Sequence, residues 1–235
     1  MKPLAAFIMR GPLQAALVTG LTGFLSLVVP LLGLLSSGAL SLVTLRGGMR
    51  DGAQVAGLAA LACGVLSWLL LGSPWPSLIV ILVLWAPAWG LAAALRFSRS
   101  LAFAAQVAGL SGVLLIVLVH LLLADPAAYW QGLMEPLRQV LEKDDVIEGA
   151  ASAQVFSGLA RWMTGAFGAA LLLQTMLGLF IGRWWQALLY NPGGFGADFR
   201  AFRLHPLFGV LGLGLVVLIG LLPGPGLIAD LLIML

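Results

Sequence analysis

GPLQAALVTGLTGFLSLVVPLLGLLSSGALSLVTL, residues 11–45, contains no charged side chain and decides how the chain folds. As one helix, these 35 residues would extend about 52 Å, whereas the hydrocarbon core of a bilayer is about 30 Å thick. Pro30 lies in the middle, where it removes a backbone hydrogen bond and lets the chain turn. The stretch therefore predicts a hairpin of two short spans, residues 13–29 and 31–45.

The composition indicates that most of the chain lies in lipid. Of its 235 residues, 61% are hydrophobic and only 9% are charged, and the mean hydropathy is +1.08. A water-facing surface needs roughly a quarter to a third charged residues, so a soluble globule is excluded, as are disordered and coiled-coil chains. We expect an all-α, polytopic transmembrane helical bundle that forms a single integral membrane domain over residues 1–235.

Further apolar runs are bounded by charges, prolines and turns. A spanning helix needs about 20 apolar residues, and the runs that approach this length are residues 53–71, 78–95, 101–123, 162–181 and 207–222. With the hairpin they predict about seven spans, within a range of six to eight. Residues 227–235 begin another run of only nine residues without a polar flank, which indicates a truncated C-terminus.

The basic residues predict the orientation, because Lys and Arg collect in short cytoplasmic loops. With the N-terminus in the cytoplasm, nine basic and two acidic residues fall on the inner side. They are Lys2, Arg10, Arg46, Arg50, Arg96, Arg99, Arg183, Arg200 and Arg203, with Asp51 and Asp198. The outer side carries six acidic and three basic residues. A single span over residues 11–45 would destroy this agreement. The pI near 9.6 therefore reflects topology, and no nucleic-acid partner is predicted.

The outer segment, residues 125–161, has helical periodicity. Its apolar side chains follow the spacing of one helix face: Trp130, Leu133, Met134, Leu137, Val140 and Leu141. Asp125 before Pro126 resembles an N-cap followed by a first-turn proline, and Pro136 either kinks the helix or starts a second one. We expect an extracytoplasmic amphipathic helix that either lies on the outer leaflet or acts as a gate over the bundle.

The inner segment, residues 183–206, is the most distinctive part of the chain. Aromatic rings such as those of Trp184 and Trp185 suit the headgroup level, and Asn191-Pro192-Gly-Gly predicts a turn. The residues assigned to a partner or lipid interface are Trp184, Trp185, Asn191, Pro192, Phe199, Arg200 and Arg203. The segment predicts a short cytoplasmic interfacial helix, which either anchors on anionic lipid or docks a cytoplasmic protein.

Three stretches resemble the YybS-like family of bacterial inner-membrane proteins: RWWQALLYNPGGFG at 183–196, FIMRG at 7–11 and DPAA at 125–128. Members of that family are longer at the C-terminus. The family is distantly similar to the S components of energy-coupling-factor transporters, which bind a substrate and have no ATPase of their own. The resemblance implies a bacterial cytoplasmic membrane, and a membrane coupling subunit as one possible partner.

Polar and aromatic side chains inside a membrane are candidates for function. Those assigned to a ligand site are Trp85, Trp89, Gln106, His120 and Gln174. For His120, a hydrogen bond with nearby Asp125 is the alternative to ligand recognition. No catalytic residue, metal site or cofactor is predicted, because the chain has one cysteine and lacks zinc-helix, nucleophile-elbow and P-loop motifs. An enzyme is therefore not expected.

Two functions from different classes fit these patterns. The first is a transport subunit that binds a small apolar or aromatic molecule from outside, beneath residues 125–161. The second is a non-catalytic membrane scaffold or regulator that docks a cytoplasmic partner through residues 184–203. A cavity lined by Trp68, Trp85, Trp89 or Gln106 would favour the first.

Overall fold

The computed structural model describes residues 1–144, 149–203 and 226–234, together with positions 206, 210 and 214. All regular secondary structure in these residues is helical, so the expected all-α helical bundle is confirmed. The helices are α1 (Lys2–Ile8), α2 (Pro12–Leu25), α3 (Leu32–Gly47), α4 (Met49–Leu71), α5 (Trp75–Val80), α6 (Ala86–Ser98), α7 (Leu101–Leu122), α8 (Pro126–Lys143), α9 (Gly149–Tyr190), α10 (Gly194–Arg200) and α11 (Gly226–Met234).

The chain turns at Pro30, between α2 and α3. With 14 and 16 residues, these helices are only about 21 and 24 Å long, which is less than the thickness of the hydrocarbon core. Helix α1 precedes α2 at a bend of 119°. Most residues of α3 are buried against other parts of the protein, so little of this short helix is available to contact lipid.

Within the described residues, four helical stretches are long and apolar enough to cross a membrane: α4, Trp75–Ser98, α7 and Ser152–Tyr190 of α9. The bent pair of α1 and α2 would make a fifth. Length and composition therefore indicate a membrane-embedded protein, but the predicted count of about seven spans is not confirmed. Helices α2 and α3 are short, and the predicted span at 207–222 lies outside the described residues apart from positions 210 and 214.

Helices α5 and α6 are joined by one π-helical turn, Ile81–Trp85, which immediately precedes Pro87. Proline has no N–H and its ring clashes with the carbonyl four residues earlier, so a widened turn accommodates it. Trp85 ends the π-turn and its side chain is fully buried.

The chain divides into two compact units. Unit 1 consists of Met1–Ala108 and Leu173–His205, and unit 2 of Gly109–Leu172 and Pro206–Leu235. Helices α7 and α9 each contribute residues to both.

In unit 1, α3 and the C-terminal part of α9 pack in a constant register. Gly178 of α9 lies against Ser37, and Gly182 lies against Ser41. One turn earlier the side-chain amide of Gln174 lies beside Gly33, and one turn later Gln186 reaches Leu45. The four pairs are Gly33–Gln174, Ser37–Gly178, Ser41–Gly182 and Leu45–Gln186, which we call the α3/α9 seam.

The seam has a topological consequence. Because the paired residues advance together by four positions on each helix, α3 and α9 run parallel, and small residues let their backbones approach closely. Both helices therefore reach the Arg46 and Arg183 end of unit 1 in the same direction.

In unit 2, α8 is one continuous helix that contains Pro136. The Asp125 side chain accepts a hydrogen bond from the Ala128 N–H at 3.0 Å, so the predicted N-cap is confirmed. Helix α9 begins at Gly149 and not at residue 162, because no proline or charge run interrupts residues 149–160. The predicted span 162–181 is the middle of a 42-residue helix.

Helix α8 presents polar groups to α9. The Trp130 indole N–H donates to Thr164 Oγ1 at 2.9 Å, and Ser152 donates to Glu142. Three apolar side chains of the predicted face, Leu133, Leu137 and Val140, are exposed. The other three, Trp130, Met134 and Leu141, are half-buried, so the predicted apolar face packs partly on protein.

The Glu135–Arg138 pair on α8 predicts a pH dependence. Two hydrogen bonds of 2.6 and 2.8 Å from Arg138, assisted by Gln139, lower the pKa of Glu135 to about 2. A lowered carboxyl pKa stabilises the folded helix above the unfolded pKa, and that stabilisation is lost as the pH falls towards 2. We expect hydrogen exchange of α8, corrected for intrinsic rates, to accelerate between pH 4.5 and 2. The Glu135→Gln variant should lack this change.

Candidate functional site

Two of the predicted ligand residues are used for packing in unit 1. The Trp85 indole N–H donates to Ser36 Oγ at 2.8 Å, and Ser36 Oγ donates in turn to the Thr19 carbonyl at 2.7 Å. The Trp89 indole N–H donates to the Met49 carbonyl at 3.0 Å. Both tryptophans therefore connect helices.

The other three predicted ligand residues lie on α7 and α9. Gln106 is half-buried on α7, and His120 belongs to unit 2. Gln174 lies on the seam, and its Nε2 atom is buried without a hydrogen-bond partner. Neither cavity described for unit 1 is lined by Trp68, Trp85, Trp89, Gln106 or Gln174.

A cavity of about 430 Å³ lies at the end of unit 1 where α3, α6 and α9 meet. We call it the basic cavity, and its lining residues are Leu45, Leu95, Arg96, Arg99, Arg183, Gln186 and Asp198. Three arginines therefore face one carboxylate. The sequence placed the arginines in loops on one side but did not predict that they share a cavity.

Arg96 ties α6 to the end of α3. Its Nη1 donates to the Leu45 carbonyl at 2.5 Å and to the Arg46 carbonyl at 2.8 Å. These carbonyls lie in the last turn of α3, where backbone acceptors have no intrahelical partner and a cation is favoured. Arg46 in turn lies over the Tyr190 ring, 4.4 Å from its centroid, which is a cation–π contact.

Arg99 has an unusual backbone. It caps α6 in the left-handed conformation, with φ of 54°, and among the described residues no other non-glycine residue has positive φ. This conformation costs about 1–2 kcal/mol for a residue with a β-carbon, and glycine is usual there. The Arg99 guanidinium has no hydrogen-bond or ion-pair partner within the described part of the chain.

Asp198 fixes α10 to α9. Arg183 Nη2 and Nε lie 2.6 and 2.9 Å from Asp198 Oδ2. The preceding turn closes with a 3.0 Å hydrogen bond from the Gly194 N–H to the Asn191 carbonyl. Pro192 follows Asn191, and Gly193 has φ of 86°, which defines a type II turn. The predicted turn is confirmed.

The α10 helix carries a cluster of phenylalanines. Phe199 lies 6.0 Å from both Phe180 and Phe195 and 6.4 Å from Phe202, measured between ring centroids. Phe199 is nevertheless 55% exposed. Arg200 and Arg203, in and just after α10, are exposed as well, and with Phe199 they form what we call the α10 surface. Trp184 and Tyr190 on α9 are also exposed. Trp185, predicted for the same interface, is instead fully buried.

Unit 2 contains a buried ionisable pair. His120 Nε2 lies 3.3 Å from Asp230 Oδ2, and Asp230 Oδ1 accepts a hydrogen bond from the Gly165 N–H at 2.9 Å. His120 Nδ1 lies 3.0 Å from the Ile116 carbonyl. The partner of His120 is therefore Asp230 and not Asp125, which the sequence suggested because it is close along the chain.

No protein-family model, curated protein or solved structure matches this chain. Within the described residues, no group of three or more His, Cys, Asp or Glu side chains is placed to hold a metal ion.

Proposed function

We propose that this chain is a non-catalytic protein of a bacterial cytoplasmic membrane, and that it docks an acidic cytoplasmic protein through the α10 surface. The observation that carries the proposal is the exposed ring of Phe199 beside Arg200 and Arg203. Exposed aromatic groups and arginines are enriched where proteins bind partners. A scaffold or regulator, the second of the two functions that the sequence suggested, is the function that this surface supports best.

The attachment of α10 favours docking. The Arg183–Asp198 ion pair and the type II turn at Gly193 hold α10 in one position, so its side chains are ordered before a partner arrives. A preorganised surface loses less conformational entropy on binding than a mobile one. The basic character of the surface selects an acidic partner and would accelerate its encounter.

The proposed orientation places the α10 surface and the N-terminus in the cytoplasm. It follows from the excess of basic residues in the loops that end α3 and α6 and follow α9. In this orientation the chain returns at Arg46, through the short helices α2 and α3, to the side on which it began. Membership of the YybS-like family is likewise a prediction from sequence alone.

A photo-crosslinking experiment tests the docking proposal. A photoreactive amino acid at position 201, which is exposed beside α10, should capture one acidic cytoplasmic protein in cells. We expect the crosslink to fall at least about tenfold in the Phe199→Ala and Arg203→Gln variants, because the anchor residues of an interface contribute about 2 kcal/mol or more and about 1.4 kcal/mol is tenfold in affinity.

The control is the same photoreactive residue at position 82, an exposed apolar site on the π-turn, which should capture lipid only. Crosslinks from position 201 to lipid alone would contradict the docking proposal and favour an interfacial anchor.

A transport subunit is a second candidate. It is favoured by the Gln174 Nε2 atom, which is buried without a partner and would gain a hydrogen bond from a bound small molecule. Native mass spectrometry of gently extracted protein should then detect a stoichiometric ligand, and the Gln174→Leu variant should lose it. A protein that carries only lipid would contradict this candidate.

A further inference from the structure

We infer that the basic cavity is a binding site for a phosphate-bearing anion, and that Asp198 forms its ion pair with Arg183 when the anion is absent. The anion would be either a lipid headgroup or a soluble phosphate compound, since both present the same chemistry. The cavity volume of about 430 Å³ falls within the roughly 300–1,000 Å³ of ligand pockets.

The charges that line the cavity favour an anionic ligand. Of its three arginines, only Arg183 faces a carboxylate within the described chain, and that carboxylate belongs to Asp198. Arg96 uses Nη1 for two carbonyls of α3, and the helix end compensates its charge only in part. Arg99 has no partner within the described residues. Three arginines and one aspartate therefore leave the cavity with an excess of positive charge, which suits a phosphate group, either the singly charged phosphodiester of a lipid or a monoester of charge about −1.5 to −2.

The hydrogen-bond donors of the cavity come from different helices, which favours a phosphate group as the ligand. Arg96 and Arg99 come from the end of α6, whereas Arg183 and Gln186 come from α9, one turn apart. A tetrahedral phosphate accepts hydrogen bonds from several directions, and guanidinium groups bind its oxygens in pairs. A single carboxylate has fewer acceptor positions, and the chain already supplies one at Asp198.

The left-handed backbone conformation of Arg99 also favours a functional role for this residue in the cavity. Glycine would end α6 without strain, yet the chain has an arginine in the left-handed conformation. Strained residues persist where the surroundings or the function require them, and within the described residues the Arg99 side chain makes no structural hydrogen bond. Among the described residues, the one evident role of the Arg99 side chain is to line the cavity.

The ion pair between Asp198 and Arg183 gives the site a regulatory consequence. An anion that binds Arg183 competes with Asp198 and weakens the attachment of α10 to α9. Control of docking by the anion rests on the proposed function, whereas the anion site itself does not. A binding measurement on the isolated full chain therefore tests the site even if no protein partner exists.

The test uses two probes on the full-length protein and three variants. In the first measurement, inorganic pyrophosphate is titrated calorimetrically into the protein in a neutral detergent. In the second, the protein is released from nanodiscs of mixed phosphatidylcholine and phosphatidylglycerol, and native mass spectrometry counts the phosphatidylglycerol molecules that it retains. We expect Arg99→Gly to weaken binding about tenfold or more, because a charge-assisted hydrogen bond is lost. Asp198→Asn should strengthen binding, because it removes the competing carboxylate. Arg50→Gln, on the same side but outside the cavity, should change affinity less than about twofold.

Stability measurements separate binding from folding. Arg99→Gly should unfold at the same or a higher temperature than the natural protein, because glycine relieves the left-handed strain. Binding of pyrophosphate would support a soluble ligand, and selective retention of phosphatidylglycerol alone would support a lipid headgroup. No binding of either probe, equal losses in Arg99→Gly and Arg50→Gln, or weaker binding in Asp198→Asn would overturn the inference.

Discussion

Alanine at Gly178 and Gly182 is expected to disrupt unit 1. A β-carbon on Gly178 would lie 2.5 Å from Ser37 Cβ, and one on Gly182 would lie 2.6 Å from Ser41 Cβ and 2.9 Å from the Gly38 carbonyl oxygen. Backbone atoms of α3 cannot move aside as a flexible side chain can. Each substitution should therefore force α3 and α9 apart and cost about 1–3 kcal/mol, and the double variant should cost more.

The matched controls are Gly57→Ala and Gly90→Ala, because nothing lies within 4 Å of a β-carbon at either position. Both glycines are inside helices, where alanine is the better helix former, so stability should stay the same or rise. Detergent-titrated unfolding of the three seam variants and the two controls measures the difference. Equal effects at the seam and control positions would show that α3 and α9 do not approach as closely as described.

Removal of His120 is expected to destabilise unit 2. Asp230 is almost fully buried, and its carboxylate faces the His120 ring and the Gly165 N–H. The His120→Leu variant leaves the buried Asp230 side chain without its partner on α7, and an unsatisfied buried polar group typically costs about 1–3 kcal/mol. Unfolding in detergent and hydrogen exchange of α11 should both report the loss.

The double variant His120→Leu/Asp230→Leu distinguishes a pair from two independent contributions. Two apolar side chains bury no charge, and such replacements are often neutral or stabilising. We expect the double variant to recover most of the stability that His120→Leu loses. Additive losses would mean that the two side chains do not interact.

The local features of this fold could be predicted from the sequence. Pro30 breaks the first apolar run, Asp125 caps α8, and Asn191 to Gly194 form a turn, because each depends on residues that are adjacent along the chain. The parallel direction of α3 and α9 also agrees with the count of basic residues in the loops.

Features that depend on distant residues could not be predicted. Asp230 is 110 positions from His120, and only the packing of α7, α9 and α11 brings it closer than Asp125. The basic cavity likewise combines residues from four helices, α3, α6, α9 and α10, and Arg99 has a conformation that its residue type does not favour. Trp185 looked like an interfacial residue, yet it is buried in the core of unit 1.

The sidedness of the α10 surface tests the central claim most directly. Cys63, the single cysteine, is buried, so it should not react with a membrane-impermeant maleimide. An Ala201→Cys variant should then be labelled only in inside-out vesicles. Its labelling should become faster when peripheral proteins are stripped from the vesicles, because a docked partner covers the α10 surface. Gly132→Cys on α8 should be labelled only in intact cells. Labelling of Ala201→Cys from outside intact cells would contradict a cytoplasmic docking surface.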